Sequence, residues 1–239
     1  MLDDELTGTR VADPSTAGMG DTLGTDMGRV LSLSDGIFAF AMTLLVLSLT
    51  IPAVPLHPQG TTASWLAGYL QSHTLAFFTY ALGFVLVGIW WMVHHRNFAY
   101  IVRYDGRLLW LNLMFLMTIA ITPFPIGLIT TFGADQTSVA FYAATQTVAG
   151  VLSTAMWWHA TSGKHLVRPD LDDRLIAHMR RRSLLAPAIF GGSILLTFIS
   201  PELALLSWWL IAVLQVTLNR RAALSPRGPS PASEPPHAG

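Results

Sequence analysis

Residues 29–49 read Arg29-Val30-Leu31-Ser32-Leu33-Ser34-Asp35-Gly36-Ile37-Phe38-Ala39-Phe40-Ala41-Met42-Thr43-Leu44-Leu45-Val46-Leu47-Ser48-Leu49. A charge and a Ser-Asp pair open the stretch, which then runs apolar to Pro52. That is roughly 17 to 20 residues, the length a helix needs to cross a hydrocarbon core of about 30 Å. Asp35 is the one Asp, Glu, Lys or Arg that falls inside an apolar span anywhere in the chain. A group so costly to bury is a functional or network residue by default, and its partner has to be sought.

Working outward, the remaining apolar runs have the same character. They cover roughly Thr74 to Val93, Leu108 to Thr130, Thr137 to His159, Ser183 to Ile199 and Leu203 to Leu218, each near the spanning length. The last two are separated only by Ser200-Pro201-Glu202, which predicts a tight helical hairpin. The chain is 52% hydrophobic and only 12% charged, a composition that places it among membrane proteins. Its 14 Lys and Arg balance 14 Asp and Glu, so no basic excess is left for a nucleic-acid partner. Without cysteine, disulfides, thiol catalysis and thiolate metal sites are excluded.

The positive charges test the six-span count. Arg10 and Arg29 precede the first span; Arg96, Arg103 and Arg107 lie between the second and third. Lys164, Arg168, Arg174, Arg180, Arg181 and Arg182 lie between the fourth and fifth, and Arg220, Arg221 and Arg227 follow the sixth. Loops 52–73, 131–136 and 200–202 have none. Every Lys and Arg therefore falls on one side, which the positive-inside rule makes cytoplasmic, with both termini inside. Trp90, Trp91, Trp110, Trp157 and Trp158 cluster at the inner ends, while Trp65 and Trp208-Trp209 suit the outer interface. In the outer loop, Trp65, Leu66, Tyr69 and Leu70 share one helical face and predict a short interfacial helix.

Residues 1–28 carry Asp3, Asp4, Glu5, Asp13, Asp21 and Asp26 in place of the basic start and apolar run of a secretion signal, and are expected to form a disordered tail. Residues 222–239 are a Pro-rich tail that cannot pack a core. The expected organisation is thus an all-α membrane domain over residues 29–221 between two disordered tails.

Wound at 100° per residue, the first span puts Phe40, Thr43, Leu44 and Leu47 on one stripe, with Gly36 and Ile51 near its ends. Ser34, Ala41 and Ser48 form a second stripe of small residues suited to close helix contact. Asp35 points well away from the first stripe; if that stripe lines a pore, Asp35 sits behind the wall, packed against its own subunit. Periodicity alone leaves that first stripe as lipid-facing, packed or pore-lining.

The sequence here resembles a known family. Arg29, then Ser34-Asp35-Gly36, Phe38-Ala39, Ala41 and Thr43-Leu44-Leu45-Val46-Leu47 are similar to the first-helix signature of the transmembrane protein 175 family, the lysosomal-type potassium channels, in its bacterial branch. Trp90-Trp91-Met92-Val93-His94-His95-Arg96-Asn97-Phe98 resembles the His-containing end of that family's second helix, and Asn112 through Pro123-Phe124-Pro125 its third. The resemblance implies a homotetrameric channel of the bacterial plasma membrane, with the first helix of each subunit lining a central pore. The residues five, nine and twelve after the Asp, here Phe40, Leu44 and Leu47, would form hydrophobic rings that replace a carbonyl filter; the sequence has no Thr-Val-Gly-Tyr-Gly run either. Thr43 matches a threonine that offers a hydroxyl toward passing ions. Arg29, Ser34, Asp35, His94 and His95 match a structural polar network. Two positions depart from the pattern: Leu33 replaces an aromatic, and Phe40 stands where the family usually carries Ile or Leu.

Adjacent histidines such as His94-His95 point about 100° apart on a helix and make poor joint metal ligands. They are read as network or interfacial residues, one of them the candidate partner of Asp35 and a source of pH sensitivity. No metal site and no cofactor is expected; potassium is the permeant ion, and the lipid bilayer and three further copies of the chain are the partners. Gly-rich phosphate loops and Ser-His-Asp patterns are absent, so the chain is not read as an enzyme. The competing reading is a proton-coupled transporter or proton-conducting channel that uses Asp35 and the membrane histidines.

Overall fold

The computed structural model describes residues 14–49 and 61–209, with side chains from residue 27 onward in the first segment. The outer-loop prolines, most of the sixth expected span and the Pro-rich C-terminal tail lie outside the described residues. Among the described residues the structure is helical, with one isolated antiparallel bridge between Ile101 and Val167.

Helix α1 runs Pro14–Leu44 and tightens into a 3-10 turn over Leu45–Ser48. It begins well before Arg29, so part of the stretch expected to be a tail is helical. Pro14 sits in the first turn, where its missing N–H has no partner to lose. After a short α2 (Thr62–Ser72), capped by the Thr61 hydroxyl, α3 spans Thr74–Phe98. Helices α4 (Gly106–Ile121) and α5 (Pro123–Phe132) form one crossing, broken at Thr122. Pro123 and Pro125 cannot donate to the preceding turn, which is the physical reason for the break. Gly133, at φ 79°, closes α5.

Helix α6 (Gln136–Thr161) starts at an Asp135 cap that accepts from the Thr137 and Ser138 amides at 2.9 and 3.3 Å. Helix α7 (Asp173–Ser183) is a charged helix within the basic loop, burying only Ile176 and Met179. Helix α8 (Leu185–Leu196) follows, and residues 201–209 begin the next helix.

Four helical stretches among the described residues are long and apolar enough to cross a membrane: Met27–Ser48, Thr74–Phe98, Gly106–Phe132 and Gln136–Lys164. They coincide with the first four expected spans. The α8 helix, at 12 residues, is shorter than the usual spanning length. Helix α6 is the centre of packing, against α4 on one side and α8 on the other, while α1 lies against α3 and α4. The α6–α8 crossing is close: a Cβ on Gly150 would stand 2.8 Å from Pro187 Cδ and 2.9 Å from its backbone N. Small residues at such a crossing let dispersion forces act where no hydrophobic drive exists between helices in lipid.

Candidate functional site

One face of α1 is sealed against the rest of the subunit. Ser34, Phe38, Ala41 and Leu45 are at most 1% exposed and recur at the three-to-four-residue spacing of a helix face. The opposite face is open: Phe40 is 63% and Leu47 72% exposed, Thr43 is also exposed, and Leu44 is half-buried at its edge. All four residues of the sequence-derived stripe thus lie off the face that the subunit covers. The Thr43 hydroxyl donates to the Phe40 carbonyl at 2.8 Å. At the end of α1, Thr130 of α5 donates to the Ser48 carbonyl at 3.0 Å, fixing the 3-10 turn.

The sealed face is anchored by a buried polar chain. Ser34 donates to the Val30 carbonyl at 2.9 Å and receives the Asn112 amide at 3.2 Å. The Asn112 carbonyl oxygen meets His94 Nε2 at 2.9 Å, which identifies that nitrogen as the donor. His94 is 3% exposed and stacked on Phe98 and Phe115 at centroid distances of 4.3 and 5.7 Å. Three helices, α1, α3 and α4, are thereby fixed to one another through amide, hydroxyl and imidazole.

Asp35 takes a different partner from the one expected. It sits exposed on the flank of the open face and accepts from the Trp91 indole N–H at 2.8 Å. His94 cannot be that partner because its ring is turned to Asn112; His95 instead stacks on Trp91, centroids 5.5 Å apart. Of the expected network, Ser34 and His94 share one hydrogen-bonded chain, and Asp35 and His95 meet at Trp91. Arg29 is exposed and belongs to neither group.

Sequence reading missed a second buried chain. Trp90 Nε1 donates to Gln146 Oε1 at 2.8 Å, Gln146 reaches the Thr122 hydroxyl at 3.4 Å, and Thr122 donates to the Thr118 carbonyl at 2.9 Å. It bridges α3, α6 and the α4–α5 break. The available signal was Gln146 itself, an uncharged polar residue in the middle of an apolar span, which charge-based scanning passes over.

At the arginine-rich end, Arg180 donates to the Thr161 hydroxyl at 2.9 Å and lies 5.8 Å from the Trp158 ring. Asp105 caps α4, accepting from the Leu108 amide at 2.7 Å, and meets His159 at 2.8 Å. Desolvation pushes its carboxyl up, but the Leu108 amide and the His159 ring outweigh that and hold it below the usual carboxylate range.

Residues 29–123 match the family model described as endosomal/lysosomal potassium channel TMEM175. A protein of Streptomyces collinus named as a potassium channel is 31% identical over 209 residues, covering 84% of this chain and 98% of that one. Another so named, from Chamaesiphon minutus, is 26% identical over 192 residues, covering 79% and 93%. The crystal structure of a lysosomal potassium-selective channel TMEM175 homolog from Chamaesiphon minutus superposes with a TM-score of 0.68 at 23% identity, over 79% of this chain and 95% of that one. It agrees in fold. The stretch that carries the first-helix signature is the stretch the family model recognises, and the likeness to the Streptomyces protein extends over nearly all of that protein: the chain belongs to the TMEM175 family, alongside its bacterial members.

Proposed function

We propose that the chain is one subunit of a homotetrameric, potassium-permeable channel with six spans and both termini in the cytoplasm, its pore lined by the open face of α1. The observation that carries this reading is the pair of opposite faces on α1. One is sealed by the subunit; the other leaves Phe40, Thr43 and Leu47 uncovered along a helix long enough to span the bilayer. Around a four-fold axis a stripe of that kind meets three copies of itself.

In this arrangement Phe40, Leu44 and Leu47 form successive apolar rings. A narrow apolar ring dewets, and a passing ion must shed water that no carbonyl replaces. Potassium gives up its hydration at lower cost than sodium, so ring width sets a modest preference between them. The phenyl of Phe40 narrows the first ring and opens by changing rotamer. Thr43 stands beside Leu44 with a hydroxyl able to offer its oxygen to an ion that has lost water. Potassium naming of the Streptomyces and Chamaesiphon relatives supports the same ion.

The test is reconstitution in liposomes with potassium and sodium flux compared. Leu44→Ala is expected to raise current and reduce the potassium preference; unchanged reversal potentials would remove Leu44 from the pore. A proton-conducting reading is favoured by Asp35, a carboxylate on the flank of the open face. In the same liposomes a proton current that disappears in Asp35→Asn, while potassium flux persists, would establish it.

A further inference from the structure

Asp105 at the start of α4, His159 in the last turn of α6 and His165 in the loop that follows α6 come together at the arginine-rich end of the bundle, and one ligand atom from each lies within 4.8 Å of the other two. We propose that this Asp-His-His cluster is a binding site for a divalent transition metal of the zinc type, separate from the pore and independent of how the pore reading is resolved.

The local geometry is built by the backbone. After α6, Gly163 and Lys164 take φ values of 62° and 56°, two left-handed residues in succession that turn the chain back on itself. Lys164 has no steric licence for that region and is held there by donating to the Leu171 carbonyl at 3.0 Å and pairing with Asp173 at 2.9 Å. The returning segment is then clamped to the loop before α4. Val102 and Arg103 donate to the Leu166 carbonyl at 2.9 and 3.2 Å, and Arg168 donates to the Tyr100 carbonyl at 3.1 Å. Both loops are thus fixed on either side of the cluster, which sets His165 edge-on to His159 with ring centroids 5.7 Å apart.

Tautomer logic points to a cation. His165 Nδ1 contacts the Ser162 carbonyl, an acceptor, so that nitrogen carries the proton. In neutral His165 the other nitrogen, Nε2, is then a lone pair facing the Asp105 carboxylate, and the two stand 4.0 Å apart. That is too far for a hydrogen bond and leaves two acceptors opposed. An imidazole whose N–H is held by a backbone carbonyl is the usual outer-shell arrangement of a histidine metal ligand, with its other nitrogen left for the ion, and here that nitrogen and the Asp105 oxygen flank the same space. Two ligand atoms on a tetrahedral zinc ion stand about 3.3 Å apart, given bonds of about 2.0 to 2.1 Å. Relative to the Asp105 oxygen, His165 must close by a fraction of an ångström, and His159, now 2.8 Å from the same oxygen, must retreat by a similar amount and carry its proton on Nδ1 so that Nε2 is free to ligate. His165 is half-exposed, so solvent supplies the fourth ligand. Two imidazoles with one carboxylate suit zinc, cobalt(II) or nickel, and are too few and too nitrogen-rich for calcium or magnesium.

The experiment uses the full chain, purified without an affinity tag and freed of metal, dialysed against zinc, with bound metal counted per subunit. Wild type is expected to hold one zinc that His165→Gln and Asp105→Asn each weaken by about tenfold or more. Asp105→Asn is informative because asparagine caps a helix as well as aspartate, so the fold is kept while the anionic ligand is lost. His178→Gln, on α7 outside the cluster, should bind as wild type does. Cobalt(II) substituted at the site should show a visible absorption band that the two ligand variants lose. Equal zinc binding by wild type, His165→Gln and Asp105→Asn, or none at all by wild type, would overturn the assignment and leave only a helix cap paired with a histidine.

Discussion

Asn112 illustrates how much one amide can hold. Its oxygen engages His94 and its nitrogen engages Ser34, both inside the protein and away from solvent. Replacing it by alanine leaves the imidazole N–H without a partner in a low-dielectric interior, where such an orphan costs about 1–3 kcal/mol, and takes one donor from the Ser34 hydroxyl, which still donates to Val30. Asn112→Ala is therefore expected to lower the thermal midpoint of the purified protein clearly, while Asn112→Gln, which retains both the acceptor and the donor, should cost less. His95, by contrast, is exposed and stacks on the Trp91 ring, so His95→Gln should leave the midpoint close to wild type. The sequence made Ser34, Asp35 and His94 legible as residues with a polar task, because each interrupts an apolar run. It did not assign the partners. Asp35 finds Trp91, an indole donor that hydropathy scales count as apolar, so a search confined to titratable groups could not reach it. His94 is turned the other way by the aromatic rings on its two faces.

At the scale of elements, the apolar lengths were the firmest part of the reading, because a bilayer fixes how long a span must be. The first four spans fall where hydropathy puts them. What periodicity could not show was α7, whose charges read as a loop, nor the backward extension of α1 through a stretch rich in glycine and acid. The α6–α8 crossing depends on a more local feature. Gly150 faces backbone and ring atoms of Pro187 that have little freedom to move, so Gly150→Ala forces the two helices apart. The expected cost is about 1–3 kcal/mol, the usual range for overpacking. Gly83→Ala makes the informative contrast: its nearest neighbour is Ile126 Cδ1 at 3.0 Å, the far end of a flexible side chain. Thermal midpoints should therefore fall further for Gly150→Ala than for Gly83→Ala. Equal losses would mean that the α6–α8 crossing is softer than its contact distances imply.

The whole molecule is organised by the contrast between the two faces of α1, and this gives the most discriminating prediction about assembly. The chain contains no cysteine, so a single introduced thiol reports on one position alone. Leu47 is 72% exposed in the subunit and Leu45, two residues earlier, is fully buried. If the open faces of four copies surround an aqueous path, Leu47→Cys and Thr43→Cys should react with a charged, membrane-impermeant thiol reagent. The added bulk should then cut ion flux. Leu45→Cys should neither react nor lose flux, because the α1 face that carries it is packed against its own subunit. A lipid-facing stripe gives the opposite pattern, since a charged reagent does not enter hydrocarbon and flux through any other path would be untouched.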